Sequence, residues 1–331
     1  MVSIGLIGAG FMGSTHLAAY EQLQKDGKFK VAAIADLDKG QAEKFAASLG
    51  AKIYGSGDEL LKTADINTVD ICLPTFLHYE YAVKAIEKGY NVFVEKPLCL
   101  TAKQADDLAA LAGKKGVIAM VGQCIRFWDE YVWLKNLIDK KAYGSIVSAH
   151  FSRRSPAPTW GWDGWLTDPE RSGGAALDLH VHDSDFILYL FGKPDTVKSV
   201  VNKSGEKYSY IFTICDYKNF IVTSEGTWNL PVSYPFEMYY RFVFEKATVE
   251  FSSQTGVKIF EGDKTIVPEI EKACVVQNDN LGGNISSLGG YYNELQYFVT
   301  CLSENKKADR ANLRNGADAV HFVEREKESI L

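Results

Sequence analysis

The sequence predicts an α/β chain: a parallel, doubly wound sheet in the first part, then an α+β part with a large, mostly antiparallel sheet. Two patterns carry this. Up to about Gly122, short β-branched runs alternate with helical stretches, the rhythm of a parallel sheet. From Thr196 to Val267, strand-like segments such as Tyr210 to Asp216, Phe220 to Leu230 and Phe236 to Phe244 are joined by short turns, as antiparallel strands are. At roughly 150 residues per domain, 331 residues make about two, and we place them at 1–122 and 123–331, with the last helix free to pack back on the first domain.

Composition narrows the partners. With 46% hydrophobic and 24% charged residues the chain is of ordinary globular type, which excludes a disordered tail or a disulfide scaffold. A net charge of −6 offers no basic field to a nucleic acid. Cys72, Cys99, Cys124, Cys215, Cys274 and Cys301 form no C-x-x-C pair, so reduced thiols and a cytoplasmic location are expected. Met1 to Tyr20 carries no acid, lysine or arginine and looks superficially like a membrane segment. No cationic start precedes it and four glycines interrupt it, so neither signal peptide nor membrane partner is expected.

Taken in order, Val2 to Ile7 suits a buried strand and runs into Gly8-Ala9-Gly10-Phe11-Met12-Gly13, then a helix to about Gln24. Strand, glycine turn and helix in this order make a dinucleotide site of the Rossmann type. Gly8 permits the turn, Gly10 lets backbone amides approach a pyrophosphate, and Gly13 lets the helix sit against the strand. A second strand, Val31 to Ala35, ends at Asp36, 23 residues past Gly13. A carboxylate there accepts from the adenosine ribose and repels a 2′-phosphate, so NAD is expected over NADP.

The alternation continues with a helix over Lys39 to Leu49, a strand at Lys52 to Tyr54 and a strand at Val69 to Leu73. A helix over His78 to Lys88, a strand at Asn91 to Glu95, a helix over Thr101 to Lys114 and a strand at Val117 to Val121 follow. Ligands of such sheets bind beyond the carboxyl ends of the strands, where Pro74, Thr75 and His78, then Glu95 and Lys96, then Gln123 and Arg126 fall. We expect these to line the cofactor or substrate cleft.

The run from Val69 through Pro74-Thr75-Phe76-Leu77-His78 to Glu95-Lys96-Pro97-Leu98, with Gly173-Gly174-x-x-x-Asp178-x-x-x-His182 later, resembles the Gfo/Idh/MocA oxidoreductases, the glucose-fructose oxidoreductase and inositol dehydrogenase family. Tyr291 to Leu295 and the last helix are similar to that family's C-terminal pattern. The resemblance implies a Rossmann domain followed by a large-sheet domain, and reversible oxidation of a secondary hydroxyl of a sugar, polyol or inositol with NAD or NADP. It also implies that Lys96 contacts the reacting hydroxyl, His182 is the acid/base and Asp178 supports them. A strained or cis peptide is implied before Pro97, and homodimers or homotetramers through the large sheet. One departure is His180, where many relatives carry glycine, which puts the substrate in question.

The residues themselves add detail. A loop from Arg154 to Arg171 carries Trp160, Trp162 and Trp165, which either wall a pocket or anchor the loop to the core. Arg153, Trp162, Trp165 and His180 are substrate candidates. Ala175 to Phe191 reads as one helix; at about 100° per residue Asp178 and His182 share a face, and a histidine beside a carboxylate suits proton exchange. Asp178-x-His180-x-His182 imitates a metal motif, but on a helix the two histidines diverge by about 200°, so no metal is expected. One face of the antiparallel sheet should pack on this helix; Tyr239, Tyr240, Phe242 and Phe244 would supply aromatic area for an interface on the other. The alternatives to a dehydrogenase are a non-catalytic nicotinamide-binding regulator and a metal-dependent hydrolase.

Overall fold

The computed structural model describes residues 1–202, 208–272 and 288–330. Contacts group them into two compact units. The first holds Met1–Phe127 with the described part of 288–320, and the second the described part of 128–272 with 321–330. These units are discontinuous in sequence, because helix 289–304 packs on the first sheet's helix layer.

The first unit runs β1 (Val2–Ile7), α1 (Phe11–Leu23), β2 (Phe29–Ala35), α2 (Lys39–Leu49), β3 (Lys52–Tyr54) and α3 (Gly57–Thr63). It continues with β4 (Thr68–Ile71), α4 (Thr75–Glu87), β5 (Asn91–Glu95), α5 (Ala102–Lys115) and β6 (Ala119–Gly122). The strands lie in the order β3-β2-β1-β4-β5-β6, and every pair is parallel. The order reverses at β1, so the β1–α1 turn and the end of β4 meet at the switch point, where such sheets bind ligands. Helix α3 was not anticipated: it is only seven residues long, although Ser56 caps it by accepting from the Glu59 amide. Thr101 caps α5 as expected, through the Gln104 amide at 3.3 Å.

The second unit begins with α6 (Asp129–Asp139) and β7 (Ile146–Pro156) and continues through α7 (Pro169–Ser172), α8 (Gly174–Asp178) and α9 (Val181–Phe191). Then come β8 (Thr196–Val201), β9 (Tyr210–Tyr217), β10 (Phe220–Leu230), β11 (Glu237–Phe244), β12 (Thr248–Ser252), β13 (Gly256–Glu261) and β14 (Lys264–Ile266). These form one sheet ordered β14-β13-β12-β11-β7-β10-β9-β8. The β7–β10 pair is parallel and its other neighbours are antiparallel. The chain closes with α10 (Gly289–Glu304), in the first unit, and α11 (Leu313–Glu328), whose residues from His321 onward belong to the second.

One face of this sheet packs on α8 and α9, as expected. The aromatic assignment needs correction. Strand side chains alternate, so Tyr240, Phe242 and Phe244 all turn inward and are buried, leaving Tyr239 alone of the four on the outer face. Tyr240 and Phe242 join Tyr131, Phe151, Phe186 and Phe251 in edge-on contacts that form the second unit's core.

Candidate functional site

In the first unit the three glycines of the turn differ in what they are needed for. Gly8 has φ +93°, and a Cβ there would stand 2.7 Å from the Cys72 carbonyl oxygen. A Cβ on Gly13 would lie 1.8 Å from the Gly8 carbonyl oxygen, so α1 approaches the turn as only glycine allows. At Gly10, the N-cap of α1, a Cβ would meet nothing within 4 Å. Gly10 is therefore not demanded by the protein's own packing; open space lies over the helix N-terminus, where a pyrophosphate would bind. Phe11 and Met12, both half-buried, open the helix beside it.

Asp36 leaves the end of β2 and accepts from the Ala9 amide at 2.6 Å and the Asp38 amide at 2.8 Å. It thus borders the glycine turn. At the other strand ends, Pro74 is the N-cap of α4. Thr75 Oγ1 and both amide atoms of Gln123 are buried with no hydrogen-bond partner. Orphaned buried polar atoms are costly unless a ligand completes them, so the open cradle and these atoms fit a bound dinucleotide. Arg126 instead donates to the Arg310 carbonyl at 2.7 Å and is buried, engaged within its own unit.

The β4 and β5 ends are tied together. His78 Nδ1 lies 2.8 Å from the Pro97 carbonyl oxygen and Nε2 lies 2.7 Å from that of Leu73. Burial pushes the His78 pKa down, so the neutral ring donates to one carbonyl at a time. The Lys96–Pro97 peptide is cis, and Lys96 is half-buried. Glu95 is buried; Oε2 accepts from the Lys96 amide at 3.0 Å, and Oε1 lies 3.0 Å from His16 Nε2.

In the second unit the expected single helix over Ala175–Phe191 is divided. Helix α8 ends at Asp178 and α9 starts at Val181, with Leu179 and His180 between them. The Leu179 amide donates to the Ala175 carbonyl at 3.0 Å, and the His180 amide reaches the same oxygen at 2.8 Å. The turn is widened by one residue there, so the angle computed for Asp178 and His182 on one ideal helix does not apply. Asp178 is half-buried and His182 buried.

The cause of the break is tertiary. His180 is wholly buried and donates from Nε2 to Glu326 Oε1 at 2.9 Å, while Ser184 Oγ donates to the other oxygen at 2.9 Å. Gly226 of β10 makes room: a Cβ on it would stand 2.6 Å from the His180 Cβ. Burial works to lower the His180 pKa, but the Glu326 carboxylate outweighs it and holds it above the ordinary value. His180 is thus bound into the fold, and so is Arg153, which donates to both oxygens of Asp183. The tryptophans divide: Trp165 packs against Leu166, Ala175, Leu179 and Trp228, whereas Trp162 is 63% exposed with Arg171 over its ring.

Sequence reasoning missed His16, Asp70 and Glu294, which are all buried. The signal was present: His16 is the one basic side chain among the first twenty residues, and Asp70 interrupts an apolar strand. Among the described residues, the close groups of metal-ligating types centre on His16 and not on the Asp178-to-His182 segment. No helix among them is long and apolar enough to cross a membrane.

Residues 2–123 match the oxidoreductase family with an NAD-binding Rossmann fold, and residues 131–250 match the GFO/IDH/MocA C-terminal domain. Similar proteins include a 2,7-anhydro-N-acetylneuraminate hydratase of Mediterraneibacter gnavus, 29% identical over 58% of this chain and 50% of its own length. A D-glucoside 3-dehydrogenase of Escherichia coli is 30% identical over 62% of this chain and 58% of its own. The chain spans about half the length of the curated relatives it matches. A levoglucosan dehydrogenase solved with NADH and levoglucosan shares the fold, with a TM-score of 0.84 at 20% identity over 99% of this chain and 96% of the other. With both parts matched, the chain belongs to the Gfo/Idh/MocA oxidoreductases, a family built on an NAD-binding Rossmann domain.

Proposed function

We propose that the protein is a dehydrogenase or reductase that uses NAD in preference to NADP and acts on a secondary hydroxyl, or the matching ketone, of a sugar, polyol or inositol. The observation that carries this is Gly10: its open side over the α1 N-terminus, beside Asp36, is a place the protein itself leaves unfilled. Gly8 to Gly13 would hold the pyrophosphate, Asp36 the adenosine ribose, and Thr75 and Gln123 the remaining polar edge. Bound NAD supplies the hydride acceptor. Lys96 then stabilises negative charge developing on the substrate oxygen, His182 takes the hydroxyl proton, and Asp178 steadies the imidazole.

The outer face of the second sheet, with Val200, Ile214 and Ile221 exposed beside polar pairs such as Ser152 with Glu225, supports a homo-oligomer formed through it. Light scattering of the purified protein tests that. The resemblance to a hydratase favours a second reading, water addition to an anhydro-sugar.

The test is a panel of hexoses, inositols, anhydro-sugars and nucleotide sugars with NAD or NADP, following reduced-cofactor absorbance and substrate mass together. A member oxidised by wild type and not by Lys96→Ala supports the dehydrogenase. Mass change without cofactor reduction supports the hydratase. A panel on which wild type and Lys96→Ala are equally inert sinks both and leaves the regulator.

A further inference from the structure

His16 lies on α1, one turn beyond the glycine turn, and is wholly buried. Its Nδ1 is 2.8 Å from Asp70 Oδ2 on β4, and its Nε2 is 3.0 Å from Glu95 Oε1 at the end of β5. Carboxylate oxygens only accept, so both contacts are hydrogen bonds only if both ring nitrogens carry protons. The ring is then an imidazolium shared by two carboxylates. Such a ring has no lone pair for a metal, although His16, Glu95 and Glu294 bring ligand-type atoms within 4.8 Å of one another.

The surroundings agree. Tyr20 OH donates to Asp70 Oδ2 at 2.9 Å, and the Cys72 sulfur lies 3.3 Å from His16 Nδ1. Burial opposes the charge on His16, yet its partners raise its pKa; burial also pushes the Cys72 thiol well up and leaves it neutral, so the charge that favours the imidazolium is the Asp70 carboxylate. Glu294, from α10, is buried with neither oxygen bonded, and burial together with Glu95 pushes its pKa well up, so it stands as a neutral acid. The groups facing His16 are thus Asp70, Cys72, Glu95, Tyr20 and Glu294.

Glu95 has two oxygens and two tasks. Oε1 meets His16, while Oε2 accepts the Lys96 backbone amide at 3.0 Å. Gly122 on the neighbouring strand leaves space for this, since a Cβ there would stand 2.9 Å from Glu95 Oε1. We infer that His16 is a positioning residue for Lys96: its imidazolium, anchored by Asp70, fixes the Glu95 carboxylate, which fixes the Lys96 peptide. The inference rests on the reading above that Lys96 meets the substrate oxygen; the relay itself lies within one unit. His16 touches no substrate. It acts by keeping a catalytic group from drifting, where misplacement of about 1 Å costs on the order of 100-fold in rate.

Two measurements need no substrate. Nitrogen-15 spectra of the histidine rings, with His16 assigned by its loss in His16→Gln, should show both its nitrogens protonated at about pH 8, where free histidine is neutral. Amide exchange in His16→Gln should speed at Lys96 by at least about tenfold while Val92, Phe93 and Val94 keep their protection. A neutral ring, or an unchanged Lys96 amide, overturns the relay. Exchange raised equally throughout β5 and α1 also overturns it, as the mark of a merely structural residue. If His16→Gln does not fold, Glu95→Gln keeps the shape without the charge; its single acceptor oxygen cannot serve both donors, so it must lower the His16 pKa or release the Lys96 amide, and a variant that does neither overturns the relay.

With any sugar that wild type oxidises, His16→Gln should lower kcat about 10- to 100-fold while the Kd for NADH stays within about twofold. An unchanged kcat beside a released amide overturns the catalytic link. A panel without substrates defeats the proposed function instead, and the ring and amide measurements still decide the relay.

Discussion

Arg153 donates to both carboxylate oxygens of Asp183, from Nε at 3.1 Å and Nη2 at 3.0 Å, with both side chains buried. Arg153 Nη2 also reaches the Tyr131 hydroxyl at 3.4 Å. This pair ties β7 to α9 beneath the aromatic core. Removing Asp183 leaves the buried Arg153 charge without its carboxylate, so Asp183→Ala should cost about 3–5 kcal/mol in urea unfolding. The double change Arg153→Met with Asp183→Leu should cost much less than the sum of the single changes.

The glycine turn separates packing from ligand binding. Gly10→Ala should melt within about 2 °C of wild type but bind NADH at least about tenfold more weakly, because its new methyl occupies only open space. Gly13→Ala should lose stability outright, since the methyl meets the Gly8 carbonyl. Melting curves and fluorescence titration with NADH distinguish the two.

Cofactor choice should rest on Asp36. Wild type should bind NADH more tightly than NADPH, and Asp36→Ala should narrow that gap at least about tenfold by removing the charge that repels a 2′-phosphate. Because Asp36 also accepts from the Ala9 amide, NADH binding itself should weaken. Equal affinity for both cofactors in wild type would show that Asp36 does not face the 2′ position.

The His180–Glu326 pair makes stability depend on pH. The folded pKa of His180 is raised above its ordinary 6.5, so the pair's contribution is complete below about pH 6.5 and is lost as pH rises through the folded value. Urea unfolding at increasing pH should show wild type losing stability that His180→Gln does not lose. Parallel curves for the two proteins would remove the pair from the pH dependence.

Much of the first unit was legible because its signals are local. The glycine turn, the Lys52–Tyr54 and Asn91–Glu95 strands and the Thr101 cap each depend on a few adjacent residues. The widened turn at His180 was not legible, since its partner Glu326 lies 146 residues away. The same holds for Glu95: its place at a strand end beside Lys96 suggested a cleft residue, while Oε1 turns to His16, 79 residues away, and Oε2 to the Lys96 amide. The aromatic strand misled for a simpler reason: alternation was visible in Tyr239 to Phe244, but which parity faced the core was not. Cys274 lies outside the described residues, while the other five cysteines are buried thiols outside any disulfide.

The parallel pairing of β7 with β10 sets an order on assembly. These two interior strands are separated by α7, α8, α9, β8 and β9, so their ladder cannot zip from a hairpin. Strand β7 pairs with both β10 and β11, which follow it in the chain, so it seats between two flanks that hairpins build first. Until then the inner edges of β10 and β11 stay open. Slow closure of the second sheet follows from that topology.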